Sequence, residues 1–171
     1  MESMPSPCNS GSTYGPYARR HNPFACYADD ASSCHDIPYP GSAGLIATLN
    51  STSSPDSVWI TPNLNNDMLS GSVQQGDAWL KANLAPVLVS AWFTGGNATV
   101  IVSMDENVQQ STPGGGQVPL IVISSDARGG GAVAIHGNHY GTLRSIEEAY
   151  GLALLAGAQS AGNGHVVKYF D

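Results

Sequence analysis

Two short unbroken apolar runs constrain the fold of this chain more than any other feature. They lie within "NATVIVSMDE" (residues 97–106) and "QVPLIVISS" (117–125). Both are rich in β-branched residues, too short for a well-packed helix, and closed by polar turn formers, so each reads as a buried strand. A strand apolar along its whole length has both faces covered. Helical spacing flanks them. After Gly76, with Asp77 as the cap and Trp79 in the first turn, the apolar positions Leu80, Leu84, Val87, Leu88 and Trp92 recur at helical intervals, and Pro86 kinks or divides that helix. A second helix spans 139–152, with Leu143, Ile146 and Tyr150 on one face and Gly151 as its stop. "SVWITPN" (57–63) reads as a further strand running into a loop, and the stretch from Leu45 to Leu49 as a short helix. Strands alternating with helices predict an α/β sheet with helices on both faces. Residues 56–152 form this core, after a turn-rich segment 1–55 and before an unassigned tail 153–171.

Charge narrows the partners. The chain carries 6 Lys and Arg against 13 Asp and Glu, a net charge of −7, and the basic residues are scattered. Nucleic acid and anionic membrane surfaces are therefore poor partners. No segment approaches a membrane span, and the N-terminus has no signal-peptide pattern. Of the 3 cysteines, Cys8 and Cys34 can bracket the first loop, leaving Cys26 as a small buried residue; three free thiols fit the residues equally well. Sequons stand at Asn50 and Asn97, patterns that matter only in an exported protein.

Only 11% of the residues are charged, against about 25% in an ordinary domain, yet the first apolar run ends in two adjacent acids, Asp105 and Glu106. In open α/β sheets ligands gather at the carboxyl ends of strands. Two neighbouring carboxylates repel, and a divalent cation relieves that repulsion; hard oxygens suit Mg, Ca, Mn or Zn. The plain alternative is an acid that caps a turn beside one that faces solvent. In "PNLNNDMLSG", Asn63, Asn66 and Asp67 offer oxygens, and Asp67 joins the acid pair if the two strands are neighbours; the alternative is an Asn/Asp turn. His139 begins a helix, where N–H groups favour anions, or merely caps it. His21 lies between Arg20 and Asn22 in "ARRHNPF", where basic groups would balance a negative substrate. No GxSxG elbow, P-loop, CxxC pair or HExxH motif is present.

Taken in order, "YARRHNPF", "ITPNLNNDM", "GDAWL", "VIVSMDE", "VPLIVISS" and "NHYGTLRSIEEAYGL" resemble the phosphoesterase family of bacterial and fungal acid phosphatases and phospholipases C, within the alkaline phosphatase superfamily. The resemblance implies the later part of an alkaline-phosphatase-like sheet and a metal-dependent hydrolase of phosphoric esters. Its substrate would be a phosphate-ester small molecule, such as a phosphoinositide, or a phospholipid head group. It implies a divalent metal ion held by Asp67, Asp105 and Glu106, catalytic roles for His21 and His139, and substrate contacts from Arg20, Asn22 and Asn66. It also implies an extracellular or periplasmic setting. Where the family usually has histidine two residues after Asp67, this chain has Leu69. The family's Glu-Asn metal-binding pair and its hydroxyl nucleophile, both in the N-terminal part of the family domain, are not in this chain. The expectation is a C-terminal part that works with a missing N-terminal half, the rival expectation a catalytically silent remnant.

Overall fold

The computed structural model describes residues 1–27, 34–107, 115–127, 130–132 and 136–164. Residues 28–33, 108–114, 128–129 and 133–135, and the tail beyond Gly164, lie outside the described residues. Two compact units divide the chain, Met1–Gly96 and Asn97–Asp171.

The first unit opens with a small antiparallel hairpin, β1 (Thr13–Tyr14) against β2 (Tyr17–Ala18), followed by single 3-10 turns at Arg19–His21 and Pro23–Cys26. Among the described residues three helices follow: α1 (Gly41–Leu49), α2 (Val73–Leu88) and α3 (Ala91–Thr94). The α1 helix falls where the apolar stretch to Leu49 predicts one. The α2 helix starts earlier than expected because Ser72 caps it, its hydroxyl accepting the Gln75 N–H at 3.2 Å; Asp77 lies inside the helix. Pro86, which has no N–H to donate, sits in its last turn, and the chain restarts as α3 with Ser90 as the new cap. Leu45 and Leu49 of α1 close on Val87 of α2, with Tyr39, Ile46 and Trp92 packed around them. Burying such a side chain contributes about 1.5–3 kcal/mol. A second small core gathers Met1, Met4 and Tyr17.

Two expectations for this unit are corrected. "SVWITPN" forms no strand, and Trp59 is 62% exposed. β-propensity records fit against a neighbouring strand, and among the described residues none pairs with this segment. Cys8 and Cys34 form a disulfide with Cα atoms 5.6 Å apart, and the remaining thiol, Cys26, is exposed, not buried.

In the second unit β3 (Thr99–Ser103) pairs antiparallel with β4 (Leu120–Ser124), in a register running from Thr99 opposite Ser124 to Ser103 opposite Leu120. Among the described residues, every residue of the two strands is exposed or half-buried, where the sequence leads one to expect strands covered on both faces. The architecture is one of mixed helices and small antiparallel sheets, consistent with an α/β fold. The α4 helix (His139–Ala149) is capped by Asn138, whose side-chain oxygen accepts the Gly141 N–H at 3.1 Å, and it ends before Gly151 at φ +65°. Its buried residues are Gly141, Ser145 and Glu147, not the expected Leu143, Ile146 and Tyr150. At Gly141 the cause is backbone crowding. The Ala161–Asn163 turn folds back on the start of α4, Asn163 O accepts the Asn138 N–H at 3.0 Å, and a Cβ on residue 141 would collide with that carbonyl. Among the described residues no helix is long and apolar enough to cross a membrane.

Candidate functional site

In the first unit, the turn after Pro62 carries the acidic residue expected there. Asn63 builds that turn as an Asx motif. Its side-chain oxygen accepts the N–H groups of Asn65 and Asn66 at 3.0 and 3.1 Å, and its carbonyl accepts those of Asn66 and Asp67 at 3.0 and 2.8 Å. Asp67 is thereby delivered to His21, whose Nδ1 lies 2.8 Å from Asp67 Oδ2. Both side chains are mostly but not wholly shielded, at 20% and 16% exposure. The other oxygen, Oδ1, accepts the Leu69 N–H at 2.9 Å. A carboxylate can only accept, so Nδ1 carries the hydrogen and Nε2 is the nitrogen left to meet another group. Leu69 itself is 60% exposed.

The basic and amide groups nearby divide into two kinds. Arg20 is exposed. Arg19 donates to the carbonyls of Ser10 and Ala25, at 3.3 and 3.0 Å. Asn22, expected against substrate, is 2% exposed and donates its amide to Asp36 Oδ2 at 2.7 Å. Asn66, also expected there, donates to both oxygens of Glu2 at 3.0 Å. These two amides hold the frame. Glu2 is the residue that reading the sequence misses: it also accepts the Asn63 N–H at 2.9 Å and the Trp79 indole N–H at 2.9 Å. Nothing in "MESMPSP" marks it, because an isolated acid in a Pro/Ser loop has no pattern. Burial, assisted by the Glu2 charge, pushes the Tyr39 hydroxyl above its ordinary range, and that hydroxyl donates to Asn83 Oδ1 at 2.9 Å.

In the second unit, Asp105 and Glu106 follow β3 after Met104 and are exposed. Asp105 Oδ1 accepts the Glu106 N–H at 2.9 Å, which fixes the turn between them. His139, the first residue of α4, reaches the Asp105 backbone carbonyl with Nε2 at 2.7 Å. A carbonyl can only accept, so Nε2 carries the hydrogen in that contact. His139 thus holds the backbone that presents the two acids. Both acids are exposed, and hard carboxylate oxygens are of the kind that suit a divalent cation. No group of three or more His, Cys, Asp and Glu side chains is gathered as metal ligands would be, among the described residues.

A family model described as the phosphoesterase family matches residues 3–153. Over 151 residues the chain is 28% identical to a phosphatidylinositol-3-phosphatase of Mycobacterium tuberculosis, covering 88% of this chain and 47% of that protein. Over 121 residues it is 30% identical to a phosphate-repressible acid phosphatase of Penicillium chrysogenum, covering 66% of this chain and 29% of that one. The chain therefore spans about half or less of the curated relatives it matches. No solved structure is a significant match.

Proposed function

The chain belongs to the phosphoesterase family, and from that premise we propose that it serves metal-dependent hydrolysis of phosphoric esters, phosphoinositides or other phosphomonoesters among them. The observation that carries this reading is the His21–Asp67 pair, formed at 2.8 Å between residues far apart in sequence and both inside the matched span. The printed names of the two relatives support a phosphate ester as substrate.

In this reading Asp105 and Glu106 hold the cation. Ions of the magnesium type are commonly bound by one or two carboxylates together with phosphate oxygens and water, so a pair of acids is a sufficient protein share. When bound, the ion supplies positive charge to a phosphoryl oxygen. His139 keeps the acid pair's backbone in place. Within the first unit, His21, with Nδ1–H fixed on Asp67, offers Nε2 for proton transfer, and Arg20 offers a positive charge to an anionic group. Asp67 acts here through His21. We read the chain as the later part of an alkaline-phosphatase-like domain, and the setting as outside the cytoplasm, in keeping with the Cys8–Cys34 disulfide.

A second reading, a domain that binds the ion and the ester without turning it over, is favoured by Leu69. It stands exposed beside Asp67, and a leucine neither ligates a cation nor holds a phosphoryl oxygen. Hydrolysis of a chromogenic aryl phosphate, with and without added divalent metal, separates the two. Metal-dependent turnover that disappears in Asp105→Ala supports the enzyme. Metal uptake without turnover supports the second reading, and neither uptake nor turnover contradicts both.

A further inference from the structure

We infer that Glu2 is the positioning residue of the His21–Asp67 pair, an inference that rests on reading that pair as the reactive one. Asp67 has no helix to hold it. It sits at the end of the turn that Asn63 organises from within, and that turn needs an anchor from outside. Glu2 supplies one. Its Oε2 accepts the Asn63 N–H at 2.9 Å, at the turn's first residue, and both of its oxygens meet the Asn66 amide at 3.0 Å, next to Asp67. Its Oε1 accepts the Trp79 indole N–H at 2.9 Å, which ties the turn to α2. Two further bonds keep this segment alongside: the Glu2 N–H donates to Thr61 O at 2.9 Å, and Ser3 Oγ accepts from the Asn63 amide at 3.0 Å.

Among the described residues, every hydrogen-bonding group that meets the Glu2 carboxylate is a donor. Only a side chain that accepts on both oxygens satisfies them together. Glutamine has the same shape but carries an NH2 on one branch, which would face a donor and leave a shielded N–H unpaired. Glu2→Gln therefore separates charge and polarity from packing. If Glu2 merely filled space, this near-isosteric change would leave the distant His21 undisturbed.

The readout is the tautomer of His21, followed by two-bond 15N–1H correlation in histidine-labelled protein at a fixed pH where the imidazole is neutral. The wild-type ring is expected in the Nδ1–H form, because Nδ1 donates to Asp67. Glu2→Gln is expected to lose that signal in favour of the Nε2–H form that imidazole prefers in water, while the His139 signal stays Nε2–H. Asn66→Ala removes the amide's contacts to both Glu2 oxygens and leaves Glu2 intact, so it serves if Glu2→Gln does not fold; the same loss is expected. A His21 tautomer unchanged in a folded variant overturns the inference, as does a wild-type ring already in the Nε2–H form. Because no turnover is read, a wild-type Nδ1–H signal lost in the variant stands even where no hydrolysis is detected, and the hydrolytic reading then fails alone.

Discussion

His21 Nδ1 lies 2.8 Å from Asp67 Oδ2, across 46 residues of sequence. A carboxylate in that position fixes both the tautomer and the orientation of the ring. Asp67→Asn keeps the shape and removes the charge. Its amide can also turn a donor toward Nδ1. Aryl phosphate turnover should fall about a hundredfold or more, with KM little changed, since aligned proton transfer contributes roughly 10²–10⁴ in rate. Undiminished kcat would remove His21 from the chemistry.

How much of this was legible in the sequence depends on whether the cause was local. The α4 helix was readable because its helical spacing and the stop at Gly151 are local signals. Its buried face was not, because the backbone of Asn163 reaches Gly141 from outside the helix. Trp59 looked like strand because its neighbours are apolar and β-branched, but strand formation needs a pairing partner. Of the site, the individual acids and imidazoles stood out by chemistry, and the resemblance put them in order. The pairing of His21 with Asp67 depends on Asn63 and Glu2, whose roles are set by folding contacts that no spacing encodes.

The His139 Nε2 contact to Asp105 O, at 2.7 Å, makes that imidazole a support for the acid pair. Groups that orient metal ligands commonly contribute 10- to 100-fold in affinity. His139→Ala should therefore weaken divalent cation binding by roughly that factor, measured by calorimetry, with little loss of thermal stability because the ring is exposed. Unaltered affinity would make His139 a helix-start residue and nothing more.

Tyr39 gives a pH signature. Its hydroxyl titrates above its ordinary value of 10.0, first because burial disfavours the phenolate and then because Glu2 is near. Above that pH the folded chain binds more protons than the unfolded chain, so this group's contribution is intact below pH 10 and is lost as pH climbs beyond it. Melting temperature should drop on going above pH 10, and less steeply in Tyr39→Phe. Equal slopes would contradict the assignment.

Cys8 and Cys34 close a loop across 26 residues. The chain-entropy argument gives such a crosslink about 3 kcal/mol. Reduction, or Cys8→Ser with Cys34→Ser, should lower the denaturant midpoint accordingly. Before reduction, a thiol reagent should label Cys26 alone, which is exposed. Labelling of all three cysteines without reductant would show that the bridge is not formed.

The claim beneath the functional account is that Asp105 and Glu106 take up a divalent cation. Titration calorimetry of the folded chain with magnesium or manganese tests it most directly. The account predicts saturable uptake that disappears when both acids are replaced, in Asp105→Ala with Glu106→Ala. No uptake by the wild-type chain, or uptake undiminished in the double variant, would contradict it.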